Sequence, residues 1–200
     1  MLVGIFTPFD KDWAHHEALI AFAEGIPEPD RFVARVEVYQ PCDVAVVFGV
    51  EKKAVPYSKH RGGIIQQQLR QGRRLIVLET GYVRREQYYA AGWGAWYPDK
   101  QTGLNGRAWF HNHMMPDDRW KALGVELKPW RTNGQHIVLC GQIPWDASVQ
   151  HSDHLAWVRA TADEILRRWD RPLIFRPHPL YSGDYPLPDS PQITISRGGW

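Results

Sequence analysis

Residues 135–179 read QHIVLCGQIPWDASVQHSDHLAWVRATADEILRRWDRPLIFRPHP, and the rest of the chain can be interpreted from this segment. It begins with a short β-rich apolar run at 136–141, continues with apolar residues at helical spacing over 153–169, and reaches a second apolar run at 172–175. A strand, a helix and a strand in this order predict a βαβ unit with parallel strands. Four apolar residues of the helix are predicted to be buried against these strands: Leu155, Val158, Ile165 and Leu166. Ligands of such units bind beyond the carboxyl ends of the strands. Those ends are here residues 141–146 and 176–179.

The residues before this unit show the same alternation of strands and helices. Apolar runs predict buried strands near 2–6, 43–49 and 74–79, and a strand or the approach to one over 32–39. Helices are predicted over 13–23 and 63–71, and a basic loop at 52–61 precedes the second helix. A last strand is predicted over 192–196. We therefore expect an α/β protein with two Rossmann-like doubly wound halves. The second half has only three predicted strands, so either the sequence is a fragment or these strands extend the first sheet.

The regular pattern weakens over residues 83–132. The aromatic segment 88–98 in this stretch has neither helical nor strand period, and long loops inside compact domains tend to be functional. Only a helical turn or two is predicted here, over 117–123. We place the domain boundary after this long aromatic loop, which predicts an N-terminal domain of residues 1–132 and a second domain of residues 133–200.

Composition limits the function classes only weakly. The 200 residues carry a net charge of +2, which by itself requires neither a nucleic-acid partner nor a membrane partner. No run reaches the about 18 apolar residues of a membrane span, and no signal peptide is visible, so we predict a cytoplasmic protein without a membrane span. Both cysteines, Cys42 and Cys140, lie in or beside apolar runs and are expected to be buried free thiols. The ten tryptophans either pack irregular loops or form a stacking surface for a sugar ring or a base.

The common phosphate-binding and metal-binding motifs are missing. The sequence contains no glycine-rich dinucleotide loop, no Walker motif and no nucleophile elbow. His111 and His113 with Asp117 and Asp118 are weak grounds for a metal site, and we predict none.

The strongest chemical signal is the segment 175–179, FRPHP, at the end of a predicted strand. The prolines on either side of His178 hold the backbone extended and fix the direction of its imidazole. Arg176 can bridge phosphate oxygens. Together the two side chains suit a diphosphate leaving group, whose developing negative charge must be stabilised. The other interpretation of His178 is an exposed loop histidine without a function.

The segments 137–148 and 175–179 resemble the start of the C-terminal domain of GT-B glycosyltransferases of the capsule-polysaccharide type, and of the related sialyl- and glycerophosphotransferases. The resemblance implies a GT-B fold, a nucleotide-sugar donor as substrate with no bound cofactor, and a His-Pro pair that meets the donor phosphates. It therefore implies that Gln142, Arg176 and His178 bind the donor. The family continues with a further strand and a Ser/Thr-rich turn, so we expect the sequence to be a fragment.

The expected reaction is the transfer of a sugar from the nucleotide-sugar to an acceptor hydroxyl, which needs a general base. The candidates for the catalytic residues are Asp146, His178 and Glu79, with His111 as a further candidate base. The candidates for acceptor binding are Tyr82, Trp93, Trp96, Arg107 and His111.

Two kinds of acceptor fit the sequence. A saccharide is what the resemblance implies. Arginines interleaved with aromatic residues in the long loop also suit nucleic acid, which would make the protein a DNA-modifying glycosyltransferase of the phage type that acts on a modified base. The alternative to an enzyme is a non-catalytic module that binds a nucleotide or a sugar.

Overall fold

The structure is a computed structural model that describes residues 1–8, 15–50, 56–81, 83–84, 87–94, 98–99, 104–105, 116–146, 149 and 152–197. The chain divides into two compact units, Met1–Val125 and Glu126–Trp200. Each unit combines helices with parallel strands, which confirms the α/β class.

The first unit is built on a five-stranded mixed sheet. Its elements in chain order are β1 (Val3–Thr7), α1 (His16–Glu24), β2 (Arg31–Arg35), β3 (Val44–Phe48), α2 (Pro56–Arg70), β4 (Arg74–Thr80) and β5 (Tyr89–Trp93). The strand order is β2-β1-β3-β4-β5, with the first four strands parallel and β5 antiparallel to β4. The parallel strands predicted near 2–6, 43–49 and 74–79 are confirmed. Every residue of β1 and of β3 is buried, as the continuous apolar runs predict.

Two sequence predictions for this unit are wrong. Strand β5 lies inside the segment 88–98, in which no strand period is visible. Of the five residues of β5, only Gly92 is buried, so the strand forms through its pairing with β4 and not through an apolar pattern. Helix α2 begins at Pro56 and includes residues 56–61 of the predicted basic loop. Proline suits the first position of a helix because it has no N–H to leave unbonded there.

The rest of the first unit has little regular structure among the described residues. Two-residue strands β6 (Pro98–Asp99) and β7 (Leu104–Asn105) pair antiparallel, and a short helix α3 (Asp118–Ala122) matches the helical turn predicted over 117–123.

The second unit is a three-stranded parallel sheet with one long helix. Its elements are β8 (Ile137–Cys140), α4 (His154–Arg168), β9 (Leu173–Arg176) and β10 (Ile193–Ile195), in the strand order β10-β9-β8. The predicted βαβ unit and the last strand are confirmed. These strands form a sheet of their own, so the alternative in which they extend the first sheet is wrong.

Helix α4 covers the sheet of the second unit. Asp153 caps the helix by accepting a hydrogen bond from the Ala156 N–H at 3.0 Å. Val158 and Ile165 pack with Leu139, Leu173 and Phe175 in the core, as predicted. The predicted core residues Leu155 and Leu166 are only half-buried.

Both cysteines are free thiols, and only Cys42 is buried. The prediction of a buried Cys140 is wrong, because side chains alternate along β8 and Leu139 takes the inward position. In the described residues, no helix combines the length and the apolar character that crossing a membrane requires.

Candidate functional site

The carboxyl ends of β8 and β9 lie side by side in the second unit. Cys140 pairs with Arg176 in the parallel ladder, and the Gly141 N–H donates a hydrogen bond to the Arg176 carbonyl oxygen at 2.8 Å. The turn at residues 141–146 and the turn at residues 177–181 therefore leave the sheet from adjacent positions. This edge brings together the predicted donor-binding residues Gln142, Arg176 and His178, all of them half-buried.

The two turns are joined by Tyr185. Its hydroxyl donates a hydrogen bond to the Gln142 carbonyl oxygen at 3.0 Å and accepts one from the His178 N–H at 3.3 Å. The Tyr185 ring packs edge-on against Phe175, with 4.8 Å between the ring centroids. Burial raises the pKa of Tyr185, although its hydrogen bond from the His178 backbone opposes this. The hydroxyl therefore stays protonated and able to donate.

His154, the first residue of α4, holds the same turn from the other side. Its Nε2 accepts a hydrogen bond from the Gln142 N–H at 2.8 Å, and its ring stacks on Trp157. The side chain is buried, which lowers the pKa of His154, while the neighbouring Asp153 carboxylate raises it. An Nε2 that accepts a hydrogen bond carries no proton, so the ring is neutral with its proton on Nδ1.

The tautomer of His178 follows from its own turn. Its Nδ1 accepts a hydrogen bond from the Leu180 N–H at 3.1 Å. A ring nitrogen that accepts cannot hold the proton, so the proton is on Nε2. His178 is therefore prepared to donate a hydrogen bond from Nε2 to a ligand oxygen.

Gln142 and Asp146 lie in the turn after β8. The Gln142 side-chain oxygen accepts a hydrogen bond from the Ile143 N–H at 2.8 Å, which leaves the side-chain amide group as a donor. The Asp146 N–H donates to the Ile143 carbonyl oxygen at 2.9 Å, and the Asp146 residue is half-buried. The turn thus carries an amide donor and a carboxylate on one short segment.

Two aromatic side chains border this edge. Trp145 is 55% exposed and meets Tyr181 edge-on, with 5.6 Å between the ring centroids. Tyr181 in turn contacts Tyr185. An exposed indole beside hydrogen-bond donors can stack on a flat ring such as a nucleobase.

The predicted base Glu79 lies at the carboxyl end of β4 in the first unit. Its carboxylate and the guanidinium of buried Arg61 both approach Gly49, which follows β3 with a φ of +67°. Arg61 also donates a hydrogen bond to the Phe48 carbonyl oxygen. Burial lowers the pKa of Arg61 and the nearby Glu79 raises it. Glu79 therefore has a local electrostatic role beside Arg61.

The strand order reverses between β1 and β3, where open α/β sheets bind ligands. On the β1 side, the Thr7 hydroxyl lies 2.9 Å from Nδ1 of His16. Polar side chains therefore gather at the carboxyl edge of this sheet as well.

The remaining candidates divide into two groups. Trp93 lies in β5, half-buried against the core of the first unit, with the Arg74 guanidinium 6.0 Å from its ring. Tyr82, Trp96, Arg107 and His111 lie outside the described residues. His113 is outside them too, and the part of the chain that the structure describes contains no group of three or more metal-ligating side chains. The acceptor-binding roles stay predictions.

Sequence reasoning missed His154 and Tyr185. A histidine directly after a capping aspartate, next to a strand-to-helix turn, is a signal that could have pointed to His154. Tyr185 lies in an irregular stretch with no periodicity, and no pattern marks it.

No protein-family model matches the sequence, and no curated protein matches it.

Proposed function

We propose that this protein is a glycosyltransferase of the GT-B type, which transfers a sugar from a nucleotide-sugar donor to a saccharide or to a modified DNA base. Two α/β units with separate sheets support this two-domain architecture. One observation carries the proposal. The turns with Gln142 and His178 meet at the carboxyl edge of a parallel sheet, with His178 Nε2 carrying a proton for a ligand oxygen.

The proposed chemistry breaks the bond between the anomeric carbon of the sugar and the terminal phosphate oxygen. Negative charge develops on the leaving diphosphate, and a hydrogen bond from His178 Nε2 together with the charge of Arg176 stabilises it. The acceptor oxygen attacks the anomeric carbon and gives its proton to a general base. Asp146 is the base that we favour because it lies in the turn after β8 that also carries Gln142, and Glu79 and His111 are the other candidates.

The test is a binding and transfer assay with the whole chain. A panel of nucleoside diphosphates is titrated against the protein, and release of diphosphate from nucleotide-sugars is then followed with saccharide acceptors and with DNA that carries hydroxyl-bearing bases. We expect at least one nucleoside diphosphate to bind, and its release from the nucleotide-sugar to depend on an acceptor. Absence of any nucleotide binding would overturn it. Binding without transfer to either acceptor class would favour a non-catalytic binding module.

A further inference from the structure

In the second unit, the backbone N–H and carbonyl oxygen of Gln142 are both bonded to side chains from distant positions in the sequence. The Gln142 N–H is bonded to His154 Nε2 and its carbonyl oxygen is bonded to the Tyr185 hydroxyl. Main-chain groups more often bond to other main-chain groups. The direction of the Gln142 side chain thus depends on two side chains that lie 12 and 43 residues away in sequence.

The position of the Tyr185 hydroxyl is fixed by packing. Its ring lies edge-on to Phe175 and to Tyr181, with centroid distances of 4.8 and 5.0 Å. The main chain of Gly141 is so close to the ring that a Cβ there would lie 2.6 Å from its Cζ. The core of the unit therefore sets where the hydroxyl lies, and the hydroxyl sets where the two turns lie.

The Tyr185 hydroxyl also holds the turn at residues 177–181. The His178 N–H donates to the Tyr185 hydroxyl, while the His178 side chain is oriented by the Leu180 N–H. One hydroxyl group consequently connects the backbone of Gln142 with the backbone of His178. A site that must hold its donors within a fraction of an ångström of the productive geometry needs such supporting contacts.

We propose that Tyr185 and His154 are positioning residues that hold the Gln142 turn and the His178 turn in one arrangement suited to a ligand with phosphate groups. Neither residue needs to touch the ligand. The identity of the ligand rests on the proposed function, whereas the coupling of the two turns does not. Hydrogen-bond donors that are ordered before the ligand arrives increase its affinity, because less conformational entropy is lost on binding.

The test compares Tyr185→Phe with Tyr181→Phe. Both changes remove a hydroxyl from a packed tyrosine ring, but the Tyr181 hydroxyl forms no hydrogen bond with the described residues. The first measurement is hydrogen exchange at the Ile143 and Leu180 amides, which bond to the side chains of Gln142 and His178 and not to Tyr185. Exchange at both amides should be several times faster in Tyr185→Phe and unchanged in Tyr181→Phe.

The second measurement is the affinity for ADP, GDP, UDP and CDP. Tyr185→Phe should bind the preferred diphosphate about tenfold more weakly than the parent, which corresponds to about 1.4 kcal/mol. Parent affinity in Tyr185→Phe would overturn the role in ligand binding. Unchanged exchange at both amides would overturn the coupling itself. If the parent protein binds no diphosphate, the proposed function and the positioning for a phosphate ligand both fail, and the exchange rates still decide whether the turns are coupled.

A second pair of variants covers the case in which Tyr185→Phe does not fold. His154→Leu removes the acceptor of the Gln142 N–H, whereas His154→Gln keeps a side-chain oxygen near the same place. Exchange at the Ile143 amide should be faster in the leucine variant and closer to the parent rate in the glutamine variant. Equal rates in the parent and in both variants would contradict the positioning role of His154.

Discussion

The hydroxyl oxygen of Tyr185 lies 3.0 Å from the carbonyl oxygen of Gln142 and donates a hydrogen bond to it. The same hydroxyl accepts the N–H of His178. The segment that follows β9 is therefore folded back onto the turn that follows β8, and the two predicted donor-binding turns become neighbours.

Gly141 should not accept a side chain. A Cβ at this position would lie 2.6 Å from the Tyr185 ring, so Gly141→Ala must push the ring or the turn aside. We expect a loss of about 1–3 kcal/mol in the free energy of unfolding, measured by urea denaturation. Gly134→Ala is the control, because a Cβ there meets nothing within 4 Å. Equal stabilities of the two variants would contradict the close contact.

Asp153→Ala should weaken helix α4. The mutation removes the side-chain acceptor of the Ala156 N–H, and loss of such a cap costs about 1 kcal/mol. Asp163→Ala is the matched control, since it removes an exposed ion pair with Arg159 and should change stability by less than about 0.5 kcal/mol. Thermal or urea unfolding of the two variants measures the difference. A control as destabilised as Asp153→Ala would argue against the cap.

Stability should fall as the pH decreases because of His154. The pKa of His154 is lowered from 6.5 in the folded chain by burial, although Asp153 opposes the shift. The unfolded chain therefore takes up the proton at a higher pH than the folded chain, and the free energy of unfolding decreases as pH falls through the ordinary pKa towards the lowered one. Urea denaturation between about pH 8 and pH 5 should show a smaller decrease for His154→Gln than for the parent. A difference between the two proteins that stays constant with pH would refute this assignment.

Trp145→Ala should reduce affinity for a nucleotide with little change in stability. The indole is 55% exposed at the edge that holds Gln142 and His178, and stacking of a base on an aromatic ring contributes about 1–3 kcal/mol. Calorimetric titration with the preferred diphosphate measures the loss. Trp169→Ala, which removes an indole that is 46% exposed at the far end of α4, should bind like the parent. Similar nucleotide affinities of the two variants would show that Trp145 does not stack on the base.

The parts of the fold that could be predicted are those in which local pattern and burial agree. The runs that became β1 and β3 are apolar throughout because both faces of these strands are covered, and the segment that became α4 carries a capping aspartate and an inward stripe. Strand β5 could not be predicted, since its residues form a strand only through pairing with β4.

In the candidate site, too, some features follow from local sequence pattern and others depend on tertiary contacts. The positions of Gln142 and His178 just after two strands, and of Arg176 at the end of β9, follow from the strand pattern alone, because parallel neighbours end at the same edge. The roles of His154 and Tyr185 depend on tertiary hydrogen bonds across 12 and 43 residues, which no local pattern encodes. The catalytic and acceptor-binding roles, including that of Glu79, stay predictions.

Sugar transfer by His178→Ala is the most direct measurement of the proposed contact with the donor phosphates, with His136→Ala, just before β8, as the control. Loss of one preorganised donor to the leaving diphosphate should lower the transfer rate about a hundredfold to a thousandfold, while the free energy of unfolding changes by less than about 0.5 kcal/mol. His136→Ala should transfer at the parent rate. A His178→Ala protein that transfers sugar at the parent rate with unchanged nucleotide affinity would show that the donor site lies elsewhere.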